Sequence, residues 1–99
     1  MQVTMIRSTV HAEKVGEAKA AAEKVFAAIA EAQPDGVRYA STLLEDGETF
    51  VVLLALEDPE RNPLPSVPGF AEFQQAIPSW QAGPPTIEQL EVVGSYQLF

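Results

Sequence analysis

The sequence predicts an α+β fold, a four-stranded antiparallel sheet with two helices on one face. Three observations carry that expectation. A β-type start gives way to a long stretch of helical periodicity. An Asp-Gly pair then separates two runs of β-type residues. A second, shorter helical pattern precedes a final β-type stretch. The 99 residues suit one domain, residues 1–99. A hydrophobic content of 46% fits a folded chain rather than an acidic disordered one.

Each element follows from its residues. Gln2 to Val10 (QVTMIRSTV) is rich in β-branched side chains and reads as the first strand. From about Ala12 to Gln33, Val15, Ala18, Ala22, Val25, Phe26 and Ile29 recur at spacings of three and four, which places them on one helix face. Abundant alanine adds helix propensity. Pro34-Asp35-Gly36 ends the helix.

Val37–Glu45 and Glu48–Glu57 flank Asp46-Gly47, which predicts a hairpin with a two-residue type I′ turn. That register opposes Leu44 to Thr49, Leu43 to Phe50, Ser41 to Val52 and Tyr39 to Leu54, and opposed residues share a sheet face. One face then carries Val37, Tyr39, Ser41, Leu43, Phe50, Val52, Leu54 and Leu56, and is expected to lie under the helices. The other carries Arg38, Ala40, Thr42, Leu44, Thr49, Val51, Leu53 and Ala55.

The proline-rich segment Asp58 to Pro68 reads as a loop. Pro68 suits the first turn of a second helix with Ser66 as its cap. Phe70, Phe73 and Ile77 form the apolar face of that helix, and Pro78 ends it. Thr86 to Phe99 reads as the last strand, with Leu90, Val92, Tyr96 and Leu98 on its more apolar face. The order β-α-β-β-α-β is the ferredoxin-like arrangement. Phe50–Leu56 is apolar on both faces, although the helices cover only one. A second copy of the sheet is the simplest cover, so a homodimer is expected. The plainer alternative leaves Val51 and Leu53 as a modest exposed patch.

Charge and composition remove several function classes. Fourteen acidic residues against 6 basic ones give a net charge of −8, which argues against nucleic-acid and anionic membrane partners. With no cysteine and His11 as the lone histidine, thiolate and histidine-rich metal sites, iron–sulfur clusters and a Cys nucleophile are excluded. No metal and no cofactor are therefore expected. The N-terminus lacks a signal-peptide core, and the longest apolar run is far short of the ~20 residues that span a bilayer. A cytoplasmic protein is the expectation.

GVRYASTLLEDGETFVVL (Gly36 to Leu53), PGFAEFQ (Pro68 to Gln74) and VVGSYQLF (Val92 to Phe99) resemble small proteins of the antibiotic biosynthesis monooxygenase-like group, in the dimeric α/β-barrel superfamily. The resemblance implies a dimer with facing sheets and a small-molecule cavity between each sheet and its helices. It also implies one of several activities, among them cofactor-free oxygenation of polyketide phenols and haem degradation. Haem-degrading members use an Asn, a Trp and a helix-borne His. Here His11 lies at a strand-to-helix junction and Asn62 in a proline-rich loop, so that site does not carry over. Relatives often have a His where this chain has Val52. The phenol-oxidising members bind substrate with Trp, Tyr, Asn and Arg side chains, and this chain offers Trp80, Tyr39 and Arg7.

The pocket candidates are Arg7, Tyr39, Val52, Phe73, Trp80 and Tyr96. The Tyr39 hydroxyl can orient a ligand or bond a backbone carbonyl. Trp80 can stack on a flat ligand or plug the core. Phe73, with Phe70 and Ile77, is core at helical spacing and also a pocket wall. Arg7 can meet a ligand anion, pair with a local carboxylate or point outward. His11 can act as a base or sit solvated at a helix start. Glu45, Asp46 and Glu48, like Glu57, Asp58 and Glu60, lack the spacing of a metal loop and read as solvated turns. Two functions stay open: a cofactor-free monooxygenase-like enzyme for an aromatic or polyketide-like molecule, and a non-catalytic dimeric domain that binds a small apolar or aromatic ligand.

Overall fold

The computed structural model describes residues 1–99. Its strands are β1 (Gln2–Thr9), β2 (Val37–Leu43), β3 (Thr49–Leu56) and β4 (Thr86–Leu90), and its helices α1 (Val15–Ala32) and α2 (Phe70–Ala76). All pairings are antiparallel, in the order β2-β3-β1-β4. This is the ferredoxin-like α+β fold. β1 and β3 take the centre, so the strand most apolar on both faces is paired on both edges.

The hairpin register is as expected: Tyr39 opposes Leu54, Ser41 opposes Val52 and Leu43 opposes Phe50. The turn is different. Among residues 44–49 only Gly47 has positive φ (73°), so the type I′ turn, which needs two such residues, does not form. Residues 45–48 make a longer loop, closed by the Gly47 N–H donating to the Leu44 carbonyl at 3.0 Å. The Asp46 carboxylate takes over the turn. It accepts from the backbone N–H of Glu48 (2.9 Å) and Thr49 (2.8 Å) and from the Thr49 hydroxyl (2.6 Å). A short acidic side chain that bonds the backbone ahead of it is an alternative to positive φ.

α1 begins after a short 3-10 turn, Ala12–Lys14, and ends at Gln33, whose left-handed backbone (φ 49°) lets its N–H reach the Ile29 carbonyl. Ala18 and Val25 are its buried residues. α2 starts later than expected. Gly69, at φ 89°, is its N-cap, Pro68 stays outside the helix, and Ser66 belongs to a preceding 3-10 turn. Extended backbone at Val67 carries the chain away from the helix axis, and left-handed Gly69 turns it back. Pro78 ends the α-helix as expected, in the 3-10 turn Ile77–Ser79, where the Ser79 hydroxyl donates to the Ala76 carbonyl at 2.6 Å.

The last strand is the largest correction. It runs only from Thr86 to Leu90, and residues 91–99 leave the sheet. β4 is an edge strand paired only with β1, and nothing in the chain lies beyond it to hold the tail.

The core forms two clusters between sheet and helices. Val25, Leu64, Val67 and Phe70 make one; Val10, Ala18 and Trp80 make the other; Phe73 packs against both. On the opposite sheet face Val3 and Ala55, paired in the central strands, are buried, while Val51, Leu53 and Met5 are half-buried.

Candidate functional site

Between the sheet and the helices lies a cavity of about 230 Å³. Strand alternation decides which side chains floor it. Ile6 and Ser8 of β1, Tyr39 and Ser41 of β2, Phe50 and Val52 of β3, and Ile87 of β4 share the helix-facing side. α1 contributes Ala18 and Ala22, and α2 with its 3-10 extension contributes Phe73, Gln74 and Ile77. Trp80 closes one end with its backbone held on both sides. Its carbonyl accepts from the His11 N–H at 2.9 Å, and its N–H donates to the Ile77 carbonyl at 3.0 Å. Gln81 follows, bridged to Val10.

The wall is apolar with five polar side chains: Ser8, Tyr39, Ser41, Gln74 and Gln81. None of the five makes a hydrogen bond to the protein. Their donors and acceptors are free to meet a ligand. Tyr39 is the one titratable group among the lining residues, and burial pushes its hydroxyl above its ordinary pKa. At neutral pH it therefore keeps its proton and donates. Its ring is fixed by a stack on Phe26 (centroids 5.0 Å apart, planes 13° apart) and an edge contact with Phe70 at 6.3 Å. The rings continue through Phe73 (6.5 Å from Phe70) to Trp80 (6.0 Å from Phe73), forming an aromatic wall.

The structure brings together four of the six pocket candidates: Tyr39, Val52, Phe73 and Trp80 all line the cavity. Arg7 does not belong to it. Arg7 pairs with Val51 on the other sheet face and is exposed; its neighbours Ile6 and Ser8 face the cavity instead. Tyr96 does not belong either, being 87% exposed on the tail beyond β4. His11 is exposed, and only its backbone contacts Trp80. The acidic turns hold themselves. Asp46 bonds its own loop, and Asp58 accepts from the Glu60 N–H at 3.0 Å and meets Arg61 at 3.9 Å. No group of three or more His, Asp and Glu side chains converges. No helix is long and apolar enough to cross a membrane.

Sequence reasoning missed Ser8, Ser41, Phe50, Gln74 and Gln81 as site residues. Ser41 and Phe50 were legible, because the hairpin register already placed them on the helix-facing side. Ser8 required the β1–β3 pairing, a contact between distant segments. Gln74 and Gln81 required the packing angle of the second helical segment.

No family model matches the sequence, and no curated protein matches it. The fold does have solved counterparts. One is a candidate antibiotic biosynthesis monooxygenase from Nitrosomonas europaea (TM-score 0.77, 18% identity, covering 95% of this chain and 100% of that one). Another, from Caulobacter crescentus, carries the same description (TM-score 0.73, 21% identity, 94% of this chain and 90% of that one). A third is a variant of SnoaB, a cofactor-independent oxygenase from Streptomyces nogalater (TM-score 0.69, 18% identity, 97% of each chain). At these identities the likeness is one of fold, and it spans nearly the whole of each chain.

Proposed function

We propose that this chain is an antibiotic biosynthesis monooxygenase-like protein whose cavity binds an uncharged, planar aromatic molecule and promotes its oxygenation without metal or flavin. The observation that carries the proposal is the cavity wall, in which aromatic and aliphatic side chains surround five unpartnered neutral polar groups. An ionic ligand would lose its hydration there without gaining a counter-charge. A phenolic or ketonic ring system meets both the apolar wall and the hydrogen-bonding groups. The description of SnoaB as a cofactor-independent oxygenase, on the same fold, points to the same chemistry.

For an anthrone-type substrate the balance is simple. The ring CH₂ loses a proton to water, giving an enolate. The enolate passes one electron to O₂. The two radicals combine in a C–O bond, the peroxide anion so formed takes back the proton from water, and the hydroperoxide loses water to leave a carbonyl. The substrate supplies every electron. Tyr39 donates a hydrogen bond to the enolate oxygen and so favours ionisation of the carbon acid. The apolar wall keeps bulk water from the radical pair.

A second reading, binding without catalysis, is favoured by one observation: no carboxylate, imidazole or amine lines the cavity to accept the proton. Oxygen uptake with anthrone separates the two. The enzyme reading expects a rate above buffer that falls about 10- to 100-fold in Tyr39→Phe, the size of one hydrogen bond to a charged group. A rate equal to buffer, with anthrone still raising the melting temperature, establishes binding alone.

We further propose a homodimer through the open sheet faces. The single chain exposes 6624 Å², against about 5,500 Å² for a monomeric protein of its mass. Leu90 on β4 and Val93, Tyr96 and Leu98 on the tail are exposed. Arg7 and Arg38 place positive charge on the open face of an otherwise acidic chain.

A further inference from the structure

The strands carry three charged side chains on the open face of the sheet: Arg7, Arg38 and Glu88. All three are exposed, and none makes an ion pair within the chain. The register fixes their places. Arg38 pairs with Ala55, Ala55 with Val3, and Val3 with Leu90, so Arg38 and Leu90 stand on one row at opposite edges. Glu88 is the next open-face residue of β4, about 7 Å from Leu90 along the strand. Arg38 thus marks the β2 edge and Glu88 the β4 edge. Both edges are free, since the order is β2-β3-β1-β4. A free edge presents unpaired backbone groups, which proteins generally cover.

These charges distinguish the two ways of laying this sheet on a copy of itself with the strands aligned. When the two-fold axis runs across the strands, each strand lies over its own counterpart. The β4 edges then meet, which brings Glu88 toward the partner's Glu88, and on the other side Arg38 joins the partner's Arg38. When the axis runs along the strands, β2 of one copy lies over β4 of the other. Arg38 then stands above the partner's Leu90, two residues from the partner's Glu88 and within reach of it. Symmetry repeats the contact, so each free edge gains a neighbour and each Glu88 gains an arginine. We infer that the second copy docks with its two-fold axis along the strands, and that Arg38 of each copy pairs with the partner's Glu88. This inference rests on the proposed homodimer and adds its alignment and the ion pairs that select it. Like charges set against each other disfavour the crossed alternative.

The chain has no cysteine, so introduced ones are unique labels. Thr42 and Thr86 occupy one row at opposite edges, through Val51 and Arg7, and replacing them leaves the three charges in place. A Thr42→Cys chain co-expressed with a Thr86→Cys chain is expected to form covalent dimers with a short bis-maleimide. Neither variant alone is expected to do so. Cross-linking of either variant alone would overturn the alignment. So would a co-expressed sample that scatters as a dimer yet does not cross-link. Arg38→Glu sets two carboxylates together at both seams, and it is expected to raise the dimer dissociation constant at least about tenfold with an unchanged circular dichroism spectrum. An unchanged dissociation constant would overturn the ion pair. If the native chain sediments as a monomer, the homodimer falls, and this inference with it.

Discussion

At the residue scale, Tyr39 and Asp46 are each set by what surrounds a single side chain. Burial keeps the Tyr39 hydroxyl protonated, and no protein group takes its hydrogen bond. Tyr39→Phe is therefore expected to leave thermal stability almost unchanged, within the ~0.5 kcal/mol of a neutral substitution, while weakening ligand or substrate handling. A melting curve measured beside the oxygen-uptake assay checks this. A large loss of stability would mean that the hydroxyl serves the core. Asp46 is the converse case, a fully exposed carboxylate held below its ordinary pKa by the Thr49 hydroxyl and the N–H groups of Glu48 and Thr49. Because its folded pKa is depressed, its contribution is complete above the ordinary Asp pKa of about 3.9 and is lost as the pH falls through the folded value. Asp46→Ala is expected to melt at a lower temperature than the native chain at pH 7. The gap should close as the pH drops below that ordinary value. A pH series of thermal melts tests this, and an undiminished gap at the acid end would reject it. The Asp-Gly pair was legible in the sequence as a turn and fixed the strand register. Which bond closes the turn was not legible, since it depends on a side chain choosing between the backbone and water.

At the element scale, the end of α1 was legible almost to the residue because its periodicity is long and its stop signal is strong, while its start falls three residues later than expected, after the 3-10 turn. α2 has only seven residues, too few to be stable alone. It is held by packing: Leu64, 1% exposed, Val67 and Phe70 dock the preceding turn and the helix start against Val25 of α1. Leu64→Ala is expected to cost about 2–5 kcal/mol, a large share of a typical domain's stability. Denaturant unfolding measures it. A cost near zero would show that the turn is free to collapse into the space. The start of α2 was misjudged for the same reason. A proline and a serine satisfy local capping preferences, but the docking of Val67 and Leu64 decides where the chain can begin to coil. The shortening of the last strand has a related cause. Alternating residues continue through Tyr96 and Leu98, yet a strand lasts only as far as a neighbour accepts its hydrogen bonds.

At the scale of the whole molecule, the helices cover one face of the sheet and form the cavity there, while the other face is buried only around Val3 and Ala55. The helices bury the side that carries Tyr39, Val52 and Leu54. The open side keeps Val51 and Leu53 half-buried beside Arg7. Leu53→Glu is expected to convert a dimer into a monomer of unaltered fold, because burying a carboxylate against a facing sheet costs more in lost hydration than the contact returns. Light scattering at micromolar concentration with circular dichroism reads both properties. A native chain that scatters as a monomer would reject the dimer outright.

The sequence by itself determined the element order, the hairpin register, the face of α1 that turns inward and the side of the sheet that receives the helices. These follow from periodicity and turn chemistry, which act between near neighbours along the chain. Through the register it also placed Tyr39 and Val52 on the cavity side. Only the tertiary structure decided that Arg7 points away, that Ser8, Gln74 and Gln81 join Tyr39, and that Tyr96 lies in the open. Those outcomes depend on β1 pairing with β3 and on how the helices cross the sheet. They arise between segments far apart in the chain, where no local pattern records which residues will meet.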